Sequence, residues 1–451
     1  MATLTQQPNA WNLSYIPNVY ILDGLGLADR YVLSVYIDGN PVATFNQTAN
    51  PAGVGIFDVQ RVLQSYLNSH FVETTQVLSP TIKAALGYQV RYGTDTNGII
   101  TWDALTAEKF VINGYANWRD INWDYTDFIP DPTSVACENE NIGVSYSRSY
   151  EFLTNWPTYS NGLKTRKVRS DEWQTYSFFN RILDWNDGTM WGANETPFFL
   201  VYNFYNTAGT LIQRRIETIT SANGLGNRTD CNDFTSSIND IDDVIGTIGV
   251  GPQNIKDAGW WPALTASYDI SLYSRDMCFG SGIISDCGDF AELEDYLGDL
   301  IYKAAWIVED PCTPFEPITM SFANQYGVKD YYTFDRRNTK TVATSRNTYT
   351  KNLGTWSQST YSIDPEDRGK LVFSSDITTQ MTLSSYWMSD AESKWLQELF
   401  SSQEALIYVD GLWEPVIITT VSYQEKTYNR DRMFQHEIQV EFANKKRIQR
   451  G

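Results

Sequence analysis

Two histidines, His70 and His436, are all that this chain offers to chemistry that needs an imidazole. A Ser-His-Asp triad needs one as its base and an HExxH zinc site needs two on one helix face. Both are nearly excluded, and an ordinary packed or exposed role is expected for each histidine. Carboxylates are more plentiful. A glycosidase needs two of them held about 5 to 9 Å apart in an aromatic cleft, and Glu292, Glu294, Asp295 and Asp299 are the candidates. Yet AELEDYLGDLI (291–301) reads as an acidic helix with Leu293, Tyr296, Leu297 and Leu300 turned inward. Asp240, Asp242 and Asp243 could meet calcium, but no DxDxDG loop closing on a glutamate frames them. Gly24-Leu25-Gly26 and Gly224-Leu225-Gly226 are too short for a dinucleotide loop, and neither GxxxxGK[ST] nor GxSxG occurs. Cys137, Cys231, Cys278, Cys287 and Cys312 form an odd set without CxxC spacing. Cys278 and Cys287 could meet across FGSGIISD, but buried free thiols are the expectation. The residues point to no enzyme, no cofactor and no metal.

The elements around these residues are mainly β. Tyr31 to Phe45, Phe198 to Arg215 and Ala405 to Val421 each give an apolar-aromatic run, a Gly-containing turn and a second apolar run. Asp38-Gly39 and Asp410-Gly411 supply the positive φ of tight hairpin turns. A first module, 1–128, is expected to be a β-sandwich of the immunoglobulin or fibronectin-like kind, with strands at Gly87 to Gly93 and Lys109 to Gly114. Asp58 caps a short helix in it whose Val59, Val62, Leu63, Tyr66 and Leu67 share one stripe. Ile129-Pro130-Asp131-Pro132-Thr133 marks a boundary. The middle module, 129–310, is a β-rich domain with an irregular insertion at about 221–263. That insertion carries INDIDD and GTIGVG, is too polar for a core, and reads as a long surface loop or arm closed by Trp260-Trp261. The third module, 311–451, is α+β. Ile318, Met320 and Phe322 start a strand, and Ser389 with Glu392 forms a capping box for a helix carrying Trp395, Leu396, Leu399 and Phe400.

Composition bounds the function. The 451 residues suffice for several domains, and 42% apolar with 20% charged content is that of a globular chain. The 15 Trp, 28 Tyr and 21 Phe are too many to hide comfortably in small β-cores, so some are expected at interfaces. The net charge is −20. Between Glu217 and Asp310 there are 17 Asp and Glu against 4 Lys and Arg, which argues against nucleic acid as a partner. After Phe334 the sign reverses, with Arg336, Arg337, Lys340, Arg346, Lys351, Arg368 and Lys370. The N-terminal residues show no signal peptide or lipidation motif, and no apolar run nears the roughly 20 residues that span a bilayer. No membrane partner is expected.

Three stretches carry a resemblance: Tyr31 to Leu67, ITMSFANQYGVKDYYTF (318–334), and the helix plus hairpin from Ser389 to Thr427. In pattern and phrasing they resemble virion structural proteins of tailed bacteriophages, notably those of Bacteroidetes. The likeness covers the first module and most of the third. It implies a multi-copy tail, neck or baseplate component, assembled in the host cytoplasm and located in the virion, whose partners are copies of itself and other virion proteins. Trp260, Trp261, Arg336, Arg337 and Lys340 are the interface candidates. The alternative is a glycan-binding or host-receptor-binding surface protein whose exposed Trp and Tyr stack on sugars.

Overall fold

The computed structural model describes residues 2–24, 30–67, 77–81, 84–115, 123–136, 142–146, 148–154, 156–157, 159–160, 163–180, 197–220, 225, 244–275, 293–310, 312, 314–420, 434–444 and 446–450. The chain is mainly β, with short helices. It divides into a large unit, Met1–Pro311 with Ala323–Tyr331, and a small unit, Cys312–Phe322 with Tyr332–Gly451.

The three expected hairpins are present. Asp38 (φ 50°) and Gly39 (φ 74°) join Arg30–Ile37 to Asn40–Thr48, and Asp410 (φ 54°) and Gly411 (φ 80°) join Ala405–Val409 to Leu412–Ile418. Two successive positive φ values give a turn whose twist matches that of the strands it links. In the hairpin Phe199–Tyr205 to Leu211–Thr218, Asn206 Oδ1 accepts from Ala208 and Thr210 N–H, and Gly209 (φ 75°) completes the turn.

Two sheets of the large unit share an N-terminal core. One runs Thr3–Gln6, Val19–Asp23, Gly55–Asp58; the other runs Trp11–Leu13, Lys109–Ile112, Ala85–Thr96, Arg30–Ile37, Asn40–Thr48, with Ile99–Leu105 also on Ala85–Thr96. Tyr20, Leu22 and Phe57 from the first meet Tyr31, Leu33, Val35, Tyr88 and Val90 from the second. The helix Gln60–Tyr66 lies on this core through Val59, Leu63 and Leu67, while Val62 is half-buried and Tyr66 exposed. Val59, not the expected Asp58, is the N-cap and makes no side-chain capping bond; Asp58, one residue earlier at the strand end, accepts through Oδ1 from Gln60 N–H (3.0 Å) and Asn18 N–H (3.1 Å) and so ties the strand to the helix start.

A second core crosses the expected boundary at 129. Trp11, Leu13, Phe110 and Ile112 pack with Trp123, Phe128, Ile129, Phe179, Ile245 and Val328. Leu78–Pro80 pairs with Gly246–Ile248, and Ile245–Gly249 pairs on its other side with Thr175–Phe179. The insertion expected at 221–263 is therefore not irregular in its described second half. Ile245–Gly249 is the middle strand of three, Pro252–Asp257 is a helix, and Val244, Ile245, Ile248, Val250 and Ile255 are buried. The glycines serve close packing: a Cβ on Gly246 would stand 2.5 Å from Phe178 Cζ, and one on Gly251 would meet Gln174 N at 2.4 Å. INDIDD and, Leu225 apart, the part of the insertion that precedes it lie outside the described residues.

A third sheet in this unit runs Tyr159–Ser160, Leu163–Val168, Leu297–Val308, Ser267–Arg275, Phe199–Tyr205, Leu211–Thr218. The helix expected over 291–301 gives way to the strand that starts at Leu297. This sheet absorbs much of the aromatic content. Trp306 stacks on Tyr268 (5.3 Å, 7°), and Tyr176 meets Trp306 edge-on at 4.9 Å. Three of the buried polar tips find acceptors: Tyr302 OH donates to Phe128 O (2.7 Å), Tyr268 OH to Val250 O (2.7 Å), and Trp306 Nε1 to Gln174 Oε1 (3.2 Å). Among the described residues nine Trp and Tyr, including Tyr20, Tyr31, Tyr202 and Tyr302, are completely buried, so these cores take up a substantial share of the large aromatic side chains.

The sheet of the small unit runs Lys329–Phe334, Ile318–Ala323, Ala405–Val409, Leu412–Ile418, Glu437–Phe442, Lys370–Ser384, Asn338–Thr350, with Lys446–Arg450 also on Lys370–Ser384. The helix Asp390–Ser401 carries the expected capping box: Ser389 Oγ accepts from Glu392 N–H (3.3 Å) and Glu392 Oε2 from Ser389 N–H (2.8 Å). Its Trp395, Leu396 and Leu399 are buried, and Trp395 meets Phe322 at 5.6 Å.

Candidate interaction surfaces

The first sequence candidate, Trp260-Trp261, is placed by a helix end. Gly259 (φ 74°) stops Pro252–Asp257: its N–H bonds Lys256 O (2.9 Å), and Trp260 N–H bonds Ile255 O (3.0 Å). This paired closure turns the chain back. Trp260 then lies edge-on to Tyr202 (5.8 Å) beneath the Arg215 guanidinium (4.5 Å). Trp261 meets Phe204 (5.8 Å) and Tyr268 (5.4 Å), with Lys256 Nζ 5.6 Å from its ring. Both indoles are half-buried and held by their own sheet.

The second group lies in the small unit. Arg336 stacks its guanidinium over Tyr386 (4.5 Å) and has Asp335 at 4.0 Å. Arg337 and Lys340 are exposed, with Lys340 Nζ 5.8 Å from the Phe442 ring. Tyr386 and Trp387 beside them are also exposed.

These cations stand at the start of a feature that the sequence reading missed. Asn338–Thr350 and Lys370–Ser384 form a long antiparallel ribbon, in register from Asn338↔Leu383 to Thr350↔Lys370. At about 3.4 Å per residue the 13 residues of the first strand span roughly 44 Å, and all but Asn338 are exposed. That strand is the sheet's edge. Where the register shifts between Asn347 and Thr348, Phe373 is left unpaired and 66% exposed. Beyond it, Thr355–Ser357 and Thr360–Ser362 form a small hairpin tip that presents Trp356 (66%) and Tyr361 (51%). Among the described residues, 8 of the 23 large apolar side chains left exposed lie between Val342 and Phe373. The available sequence signal is a run of β-branched residues in TKTVATSRNTYT, without Pro or Gly.

The chemical candidates fare differently. His436 is buried, with Nε2 2.9 Å from Ser393 Oγ, and burial lowers its pKa. Ser393 is 2% exposed, so this hydroxyl is closed to a substrate. Glu294, just before the strand that starts at Leu297, pairs with Arg214, and Asp299 Oδ2 accepts from Tyr146 N–H (2.8 Å), so both carboxylates are engaged in contacts within the fold. His70, Glu292, Asp240, Asp242, Asp243, Cys137, Cys231, Cys278 and Cys287 lie outside the described residues. Cys312 is a free thiol and exposed, against the expectation of burial. Among the described residues no group of three His, Cys, Asp or Glu could hold a metal.

No known family profile matches the chain, and no curated protein does. Solved structures similar to it include fibronectin(III)-like modules of Clostridium thermocellum CbhA, at 7% identity and TM-score 0.15, covering 68% of this chain and 94% of that one. Another is the chicken interferon gamma receptor alpha chain, at 9% identity and TM-score 0.16, covering 68% and 97%. The Bacillus anthracis TIE protein matches at 8% identity and TM-score 0.11, covering 86% and 70%. At such scores no role passes from these proteins to this chain.

Proposed function

We propose that this chain is a structural subunit of a bacteriophage virion, a multi-copy tail, neck or baseplate ring component that works through protein–protein contacts. Its N-terminal two-sheet core would be a sandwich of the immunoglobulin or fibronectin kind. The observation that carries the reading is the ribbon 338–384. Of its two strands, Glu437–Phe442 and Lys446–Arg450 pair only with the inner one, so the outer strand Asn338–Thr350 stays a wetted sheet edge and the tip beyond it presents exposed aromatic side chains. Such a surface is expected where a partner covers it. The resemblance of Tyr31–Leu67, Ile318–Phe334 and Ser389–Thr427 to virion proteins supplies the setting. Mass spectrometry of purified particles tests it: the chain should be present in many copies, and its absence removes the reading.

One observation favours a second reading. Tyr386 and Trp387 are exposed beside Arg336, a combination suited to stacking on a sugar ring. Binding of a host-surface polysaccharide that is lost in Trp387→Ala would support a receptor-binding role. No binding to such polysaccharide would dismiss it.

A further inference from the structure

We propose that the ribbon 338–384 is a docking arm whose occupant is the large unit of a second copy of this chain. The inference rests on the assembly role above and names the partner.

Charge decides between partners. The large unit holds 19 Lys and Arg against 38 Asp and Glu, and the small unit 15 against 16, so of the net −20 the large unit carries −19 and the small unit −1. Within the small unit the outer strand and tip, Asn338 to Ile363, have three cations, Lys340, Arg346 and Lys351, and no acid, while the return from Asp364 to Ser384 has Arg368 and Lys370 against Asp364, Glu366, Asp367 and Asp376. Two large units therefore repel. The pairing that charge favours brings the basic outer strand and tip of one copy to the acidic unit of the next, a heterologous contact that repeats from subunit to subunit and closes into a ring when the rotation allows.

The apolar groups supply what the charges cannot. Trp356 and Tyr361 face each other across the tip as register partners, and Phe373 stands out at the register shift. Large rigid aromatics at the end of an element are the residues that dominate the energy of an interface once covered. The opposite face is mostly polar near its base, with pairs Thr339↔Thr382, Thr341↔Gln380 and Ser345↔Asp376 beside Ala343↔Thr378, and carries Tyr349↔Leu371 toward the tip. Docking therefore engages the tip and the face bearing Lys340, Val342 and Arg346.

The test uses the full-length chain with a photoreactive phenylalanine analogue in place of Trp356, as a mixture of isotope-labelled and unlabelled copies. Irradiation should give mixed-label crosslinks from residue 356 into residues 1–311. Crosslinks to the ribbon of the other copy, or none between copies, overturn the proposal. In parallel, W356S/Y361S should keep the melting temperature, since both side chains are exposed, yet raise the self-association Kd about tenfold or more. Added salt should weaken the wild-type association; unchanged self-association in the double variant overturns the proposal. The outcomes separate from those of the assembly role. If residue 356 crosslinks to a different protein in purified particles, the virion reading stands and this inference falls. If copies crosslink as stated but particles lack the chain, the reverse holds.

Discussion

Phe178 leaves no room for a side chain at residue 246. Its ring would be 2.5 Å from a Cβ there, and the glycine sits between two paired strands with no freedom to shift. Gly246→Val should therefore force the ring or the ladder to move, at a cost of about 1–3 kcal/mol or more. Thermal unfolding checks it, and an unchanged melting temperature would mean that Phe178 can swing away. Trp395 poses the opposite case, a large side chain whose removal leaves a hole. It is buried under Phe322 and Tyr332, so Trp395→Ala should cost about 3–5 kcal/mol and lower soluble yield. A variant as stable as the wild type would place this helix face outside the core.

At the scale of elements, the segment 244–263 and the ribbon exchange the roles that composition suggested. A strand bonded on both sides and a helix closed by Gly259 should resist proteolysis as long as the large unit is folded, because cutting them requires opening the core. The tip around Gly354 to Gly369, held by its own short hairpin, should be cut first in the free chain. Limited proteolysis with mass mapping distinguishes the two, and early cleavage between residues 245 and 257 would contradict the three-stranded arrangement. Deleting residues 225–258 removes the middle strand and should unfold the large unit, not merely block assembly.

Over the whole molecule, buried tyrosines couple folding to alkaline pH. Burial raises the hydroxyl pKa of Tyr202, Tyr268 and Tyr302 well above the ordinary value near 10. The folded chain then holds these protons more tightly than the unfolded one. Their contribution to stability is complete below about pH 10 and is lost as pH rises toward the folded values. The melting temperature should fall steadily above about pH 10, and part of the tyrosinate absorbance should appear together with loss of structure. If all tyrosines ionised smoothly near pH 10 with the fold intact, these hydroxyls would have to be reachable by solvent.

The cap expected at Asp58 fell one residue on, at Val59, but the sequence by itself determined two kinds of local piece: the Asp-Gly turns and the Ser389–Glu392 box. Each is a contract between residues a few positions apart, so short-range sterics and hydrogen bonding suffice to specify it. Only the tertiary structure decided which pieces meet. A glycine in GTIGVG is a flexible loop residue or a slot for Phe178 depending on a partner 68 positions away. Thr and Val in TKTVATSRNTYT form a strand in either case, and whether that strand is covered or left in water depends on what the rest of the chain lays against it. Burial is settled by these long-range encounters, and with it the separation of core aromatics from the few at the ribbon that remain for a partner.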